Sequence, residues 1–136
     1  MEKIIIDAGP LVALMDEAEE HHAWSKESLA LIRPPLLTCE AVLSEACFLL
    51  ASVHRAYSHL GALIERGLII PVSVDGFHLQ IFDLMETYHS VPMSFADACL
   101  VCMVENNPGS RLFTLDRHFT VYRQQRRKII PLIAPF

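Results

Sequence analysis

Short apolar runs alternate with longer amphipathic stretches along the chain. The runs predict five β-strands, at residues 3–6, 36–38, 68–72, 111–115 and 129–133. The first run, Lys3-Ile4-Ile5-Ile6, is β-branched and shows no polar alternation, which is typical of a central parallel strand. The last run contains Pro131, and a proline is tolerated in a strand at the edge of a sheet.

The stretches between these runs predict helices, at residues 22–32, 39–53, 56–66, 76–89, 95–105 and 117–124. The helix over 39–53 is apolar on most faces, which predicts a central position in the fold. Gly9 and Pro10 predict a turn after the first strand. Strands that alternate with helices predict a three-layer α/β/α sandwich around a mostly parallel sheet.

The length of 136 residues predicts one domain spanning 1–136, since chains of about 100–200 residues usually fold as one. A hydrophobic content of 52% with 20% charged residues excludes a disordered chain. No apolar run approaches the ~20 residues of a membrane span. The first apolar stretch is also too short for a signal peptide. We therefore expect a cytoplasmic protein without a membrane segment.

The cysteines agree with a reducing compartment, because each of the four lies among apolar neighbours: Cys39, Cys47, Cys99 and Cys102. Cys99 and Cys102 form a C-x-x-C pair, which is compatible with a redox or zinc site. No second pair of ligands lies near them in the sequence. Buried thiols that act as small hydrophobic side chains are the favoured interpretation.

The net charge of −5 is distributed unevenly. Residues 1–110 carry 5 basic and 15 acidic side chains, whereas residues 111–136 carry 6 basic and 1 acidic side chain. An acidic body with a basic end would suit a polyanion that is handled through a metal at an acidic centre. A solvated helix face explains any single one of these basic residues equally well.

Four acids stand at positions where an α/β fold carries functional groups, at the carboxyl ends of strands or close to them. Asp7 and Asp116 each follow a predicted strand, although either could be an ordinary loop acid. Asp97 lies in the first turn of its helix, where Ser94 and Asp97 also fit a capping box. Glu45 lies in the middle of an apolar helix, where an unpaired carboxylate would be costly.

If these acids converge, their repulsion calls for a counterion. Two unit charges 4 Å apart interact by roughly 4 kcal/mol at an effective dielectric constant of about 20. Arg117 is the one cationic side chain in the immediate motifs, so a divalent metal is the natural counterion. Oxygen ligands select hard cations, which favours Mg²⁺ or Mn²⁺ over zinc. This arrangement is that of metal-assisted phosphodiester hydrolysis.

Four motifs, at residues 4–14, 38–45, 94–98 and 113–119, resemble those of the PIN-domain family, especially its VapC-like ribonuclease toxins from bacterial and archaeal toxin–antitoxin pairs. The first motif contains Asp7, the second ends in the helical Glu45, the third contains Asp97 and the fourth contains Asp116. No single motif is specific. Their order and spacing carry the resemblance, which covers almost the full chain.

The resemblance implies a role for each matching residue. Asp7 and Asp97 would be the principal metal ligands, Glu45 would complete or orient the site, and Asp116 would bind the metal directly or through water. The hydroxyl of Thr114 could hold Asp116 or a metal-bound water. Ala8 departs from the family pattern, because many relatives carry Ser or Thr after the first Asp, and this removes a possible hydroxyl contact.

The implied activity is that of a divalent-metal-dependent endoribonuclease, the toxin of a toxin–antitoxin pair. An activated water would attack an RNA phosphodiester and leave 5′-phosphate and 3′-hydroxyl ends. Two alternatives stay open: a PIN-like module that binds protein or RNA with little turnover, and a housekeeping RNA-processing nuclease. A gene for a small DNA-binding antitoxin immediately upstream would favour the toxin.

The resemblance also implies an RNA substrate, a VapB-like antitoxin and a homodimer. The helical regions 21–32 and 39–66 are apolar enough to cover a dimer interface and an antitoxin groove. The basic cluster over 123–128 is a candidate contact to the RNA backbone, with solubility or antitoxin docking as rival explanations.

Overall fold

The computed structural model describes residues 2–136, in which seven short strands and six α-helices are found. The strands are β1 (Ile4–Ile6), β2 (Leu36–Thr38), β3 (Ile69–Pro71), β4 (Arg111–Phe113), β5 (Arg123–Gln124), β6 (Lys128–Ile129) and β7 (Leu132–Ile133). The helices are α1 (Ala8–Met15), α2 (His22–Ala30), α3 (Glu40–Leu49), α4 (Ala56–Glu65), α5 (His78–Thr87) and α6 (Phe95–Glu105). A short 3₁₀ helix covers Arg117–Thr120.

Five strands form one parallel sheet in the order β3-β2-β1-β4-β7, while β5 and β6 pair as a separate antiparallel hairpin. The central β1 is buried along its whole length, as its β-branched run predicts. Helices flank the sheet, so the predicted α/β sandwich is confirmed. Within residues 2–136, no helix is long and apolar enough to cross a membrane.

The strand order changes direction at β1. The chain runs outwards from β1 through β2 to β3 and then returns across the sheet to β4, on the other side of β1. Such a reversal opens a crevice at the carboxyl ends of β1 and β4, where α/β folds bind their ligands.

The most buried helix is α6, in which residues 96–104 are all buried. The sequence instead predicts a central helix over 39–53, and this prediction is wrong. In α3, which ends at Leu49, only Val42 and Ala46 are buried, and Phe48 is 82% exposed. Apolar content alone misplaces α3, because part of its apolar face lies at the surface.

Three predicted features near the two ends of the chain differ from the structure. Gly9 and Pro10 lie inside the first turn of α1 and not in a turn before it. A proline fits there because the first-turn N–H groups lack intrahelical partners. The predicted helix over 117–124 is only a 3₁₀ turn followed by β5, and the predicted strand over 129–133 divides into β6 and β7. The edge position of β7 is as predicted.

The four cysteines are free thiols in the structure. Cys39, Cys99 and Cys102 are buried, as predicted, whereas Cys47 is half-buried. Cys39, which precedes α3, contacts Cys99 of α6, so these two buried thiols contribute to the packing between the helices.

Candidate active site

Asp7 joins the first strand to the first helix. It follows β1 directly and caps α1, with Oδ1 accepting a hydrogen bond from the Ala8 N–H at 2.7 Å. Its second oxygen, Oδ2, accepts a hydrogen bond from the Thr114 hydroxyl, also at 2.7 Å. The residue is 5% exposed. Asp7 is thus a nearly buried carboxylate that two donors hold in one orientation.

The charge of Asp7 is poorly compensated. Burial is the largest influence and raises the pKa of Asp7 to about 7, against opposing hydrogen bonds from Thr114 and Ala8. The carboxylates of Asp97 and Asp116 raise this pKa further. A carboxyl group with such a pKa is stabilised by any cation that enters its surroundings.

Asp97 begins α6 in the capping box that the sequence predicts. The Ser94 hydroxyl accepts a hydrogen bond from the Asp97 N–H at 3.0 Å, and the Ser94 N–H donates to Asp97 Oδ2 at 3.1 Å. The Tyr122 hydroxyl donates to the same oxygen at 3.3 Å. Burial, followed by the charge of Asp116, raises the pKa of Asp97 against the hydrogen bond from the Ser94 backbone. Capping and a place in the acidic pocket are therefore compatible.

Thr114 links the first acid to the last. Its hydroxyl donates to Asp7 Oδ2 and accepts a hydrogen bond from the Asp116 N–H at 3.0 Å. Asp116 in turn caps the 3₁₀ helix, with Oδ1 accepting from the His118 N–H at 2.8 Å and lying 2.9 Å from His118 Nδ1. Thr114 is fully buried, so it fixes the spacing between β1 and the turn after β4.

Glu45 reaches the site from α3. The residue is exposed, which differs from the sequence argument that placed it inside an apolar helix. Because Glu45 is not buried, keeping its carboxylate charged costs less free energy than a position inside an apolar helix would. Partial burial still raises the pKa of Glu45, and the charges of Asp97 and Asp116 add to this effect. These influences place Glu45 within electrostatic reach of both acids.

The four acids line one open cavity of about 560 Å³ at the carboxyl ends of β1 and β4. The cavity is also lined by Arg117, His118, Leu49 and Gly9. Glu40, in the first turn of α3, borders a neighbouring groove and not this cavity. The structure therefore brings Asp7, Glu45, Asp97 and Asp116 together.

Tyr122 and His118 were missed as site residues by sequence reasoning. Tyr122 fell inside the helix predicted over 117–124, and no local pattern connects it to Asp97 across 25 positions. His118 lies within the fourth motif, next but one to Asp116. Its spacing of two residues could have indicated a turn in which the two side chains meet.

The predicted basic cluster over 123–128 is partly engaged elsewhere. The Arg123 guanidinium donates to the carbonyl oxygens of residues 120–122, at distances of 2.6–3.1 Å. Arg126 pairs with Asp83 of α5. These two arginines stabilise the hairpin, so a contact with the RNA backbone would depend on Arg127 and Lys128.

The acidic pocket fits a hydrated hard cation. Across residues 2–136, no three His, Cys, Asp or Glu side chains form a ready-made metal cluster. A closed zinc-type site is therefore a poor fit. Mg²⁺ keeps several waters and takes only one or two carboxylates directly, and an open pocket of separated acids suits it. The raised pKa of Asp7 marks the same need for a cation.

Comparison with known proteins assigns the chain to a family. A family model described as the PIN domain matches residues 4–124. The crystal structure of VapC20 from Mycobacterium tuberculosis, a sarcin-ricin loop cleaving toxin, has a similar fold, with a TM-score of 0.76 at 20% sequence identity. The match covers 84% of this chain and 90% of that one. No curated protein matches the sequence significantly. The prediction from the four motifs is confirmed: this chain belongs to the PIN domain family.

Proposed function

We propose that this protein is a divalent-metal-dependent endoribonuclease and the toxin of a toxin–antitoxin pair. The observation that carries the proposal is the convergence of four carboxylates, from four separated motifs, on one cavity at the switch point of the sheet. Membership of the PIN domain family supports it, as does the fold shared with an RNA-cleaving toxin. An RNA substrate inside the cell would support a cytoplasmic site of action.

Asp7, Glu45, Asp97 and Asp116 would hold the cation, and their oxygen ligands favour Mg²⁺ or Mn²⁺. When bound, such a cation supplies a nucleophilic water at neutral pH and offsets the negative charge that develops on the phosphate. Thr114 keeps Asp7 and Asp116 at a fixed spacing through its two hydrogen bonds. The fixed carboxylates then present their oxygens without reorganising during the reaction.

Arg117 is the candidate for contact with the RNA phosphate. Within residues 2–136 it is the one Arg or Lys that lines the acidic cavity. Its guanidinium lies 4.6 Å from the centre of the Phe136 ring, and this stacking restrains an otherwise exposed side chain. A restrained guanidinium can donate two parallel hydrogen bonds to phosphate oxygens. Arg117 would therefore position the scissile phosphate over the carboxylates.

A second copy of the chain is the proposed occupant of an exposed apolar surface on α3 and α5. Phe48, Leu79 and Phe82 are 82%, 88% and 52% exposed. Phe95 connects them, because its ring lies 5.9 Å from that of Phe82 and it lines the same groove as Phe48. Contiguous exposed apolar surface of this kind marks interfaces. Phe48→Glu should convert a dimer to a monomer in light scattering, whereas the equally exposed Leu31, changed to Glu, should not.

An antitoxin segment is the proposed occupant of the groove between α2 and α4. The groove has apolar walls that include Leu29 and Leu63, and its charged lining residues are Lys26, Arg66 and Glu17, with a net positive charge. An amphipathic segment with acidic residues would match this pattern of charge and apolar surface. Leu63→Glu should then abolish binding of the antitoxin while RNA cleavage by the isolated toxin persists.

Cleavage of a single-stranded RNA oligonucleotide tests the proposed activity. Wild type, Glu45→Gln and the matched control Glu40→Gln would be compared with Mg²⁺, Mn²⁺ or EDTA. We expect wild type and Glu40→Gln to cut with either metal, EDTA to stop both, and Glu45→Gln to lose roughly 100-fold in rate. RNA binding without metal-dependent cleavage by folded wild-type protein would contradict this proposal and favour the binding module.

A further inference from the structure

Tyr122 is a phenol buried completely behind the acidic pocket. Its ring makes edge-on contacts with Phe119 and Tyr88, each with a centroid distance of 5.2 Å. The Tyr88 hydroxyl accepts a hydrogen bond from the Arg123 N–H at 3.0 Å, which ties this cluster to the start of β5. Two aromatic contacts and full burial leave the Tyr122 ring little rotational freedom.

The Tyr122 hydroxyl and the Ser94 N–H converge on one oxygen of Asp97. Both donate to Oδ2, at 3.3 and 3.1 Å. No side chain or backbone group among residues 2–136 donates to the other oxygen, Oδ1. A tyrosine hydroxyl carries its proton at neutral pH, so the phenol is the donor in this hydrogen bond. Oδ2 of Asp97 therefore accepts two hydrogen bonds that fix the carboxylate, while Oδ1 remains available to a ligand.

Neither of the other two aspartates of the site has a donor of this kind. Asp7 accepts from the Ala8 N–H and from the small hydroxyl of Thr114 after β4, and Asp116 is held through the turn that it caps. Asp97 alone is held from outside its own helix by a rigid aromatic side chain. Partners of this type, which orient a ligand without binding the metal, typically change metal affinity by about 10–100-fold when removed.

We propose that Tyr122 is a positioning residue, which holds Asp97 Oδ2 so that Oδ1 remains available to the divalent cation. This inference rests on the proposed function, because it assigns Asp97 to the metal. Tyr122 does not touch the substrate in this account and acts only through Asp97.

Titration with Mn²⁺, followed by the electron paramagnetic resonance signal of the unbound ion, tests the inference without RNA. Tyr122→Phe removes only the hydroxyl, and Tyr88→Phe removes a phenol of the same cluster that does not contact an acid. We expect Tyr122→Phe to raise the Kd for Mn²⁺ roughly tenfold and Tyr88→Phe to leave it within about twofold of wild type. A Kd unchanged by Tyr122→Phe would overturn the inference, as would an equal loss in both variants.

A double-mutant cycle separates positioning from general destabilisation. In the Asp97→Asn background, Tyr122→Phe should cause no further change in the Kd, because the residue through which it acts is already altered. A further tenfold loss there would overturn the inference alone. Wild type that binds no Mn²⁺ would overturn both this inference and the proposed function, so the two failures are distinguishable.

Discussion

The burial of Asp7 predicts that the acidic pocket destabilises the metal-free protein. Burial raises the pKa of Asp7 from 3.8 to about 7. Because the native pKa is the higher one, the unfolded state releases this proton first as the pH rises. Stability from this residue is therefore present below about pH 4 and is lost as the pH rises through 7. The difference between the two pKa values corresponds to about 4 kcal/mol of unfolding free energy.

Asp7→Asn removes this charge while keeping the shape of the side chain. Its oxygen can still accept from the Ala8 N–H, although the amide no longer accepts from the Thr114 hydroxyl as Oδ2 does. That loss is the same at every pH, whereas the charge effect is not. We therefore expect the variant to gain about 2–3 kcal/mol in unfolding free energy relative to wild type between pH 5 and pH 8.

Urea unfolding of both proteins in EDTA, at pH 5 and pH 8, measures this difference. Adding Mn²⁺ at pH 8 should then stabilise wild type by ligand binding and leave Asp7→Asn nearly unchanged. A difference between the two proteins that stays constant from pH 5 to pH 8 would refute the reasoning. It would mean that Asp7 is solvated, or paired with a cation, in the metal-free fold.

Three further predictions concern the same pocket. Thr114→Val removes the hydroxyl that bridges Asp7 and Asp116 and should lower the cleavage rate about 10–100-fold. Thr114→Ser keeps a hydroxyl and should retain most of the wild-type rate, so equal losses in both variants would contradict the bridging role. Arg117→Gln should raise the KM for RNA about tenfold and weaken the salt dependence of RNA binding. Arg127→Gln should leave the KM for RNA nearly unchanged. The reverse result would place the phosphate contact on the hairpin of β5 and β6. The Kd for Mn²⁺ should rise as the pH falls below 7, because protons compete with the metal for Asp7, whose pKa burial raises to about 7. A Kd that does not change between pH 6 and pH 8 would exclude Asp7 as a ligand.

The sequence was sufficient to predict those parts of the fold and site that depend on local pattern. The β-branched run before Asp7 identified the central strand, and the Ser94-x-x-Asp97 spacing identified the start of α6. Parallel strands present their carboxyl ends at the same edge, so acids after β1 and β4 stand where the sequence allows them to converge. Their shared cavity follows from that topology.

The remaining features depend on tertiary packing, which local pattern does not encode. The position of α3 depends on which of its faces α1 and α6 cover, and Phe48 at its surface is indistinguishable in sequence from a core residue. The contact between Tyr122 and Asp97 requires the chain to turn through a 3₁₀ helix that resembles an α-helix in sequence. Glu45 is exposed for the same reason as Phe48: tertiary packing leaves this part of α3 at the surface.

Location of Mn²⁺ by its anomalous scattering tests the central claim most directly. Crystals of wild type and of Asp97→Asn, soaked in Mn²⁺, would be compared. We expect a peak in the pocket of Asp7, Glu45, Asp97 and Asp116, about 2.0–2.3 Å from at least one carboxylate oxygen, and its loss or weakening in the variant. A wild-type pocket without a peak, or a peak that Asp97→Asn leaves unchanged, would contradict that claim.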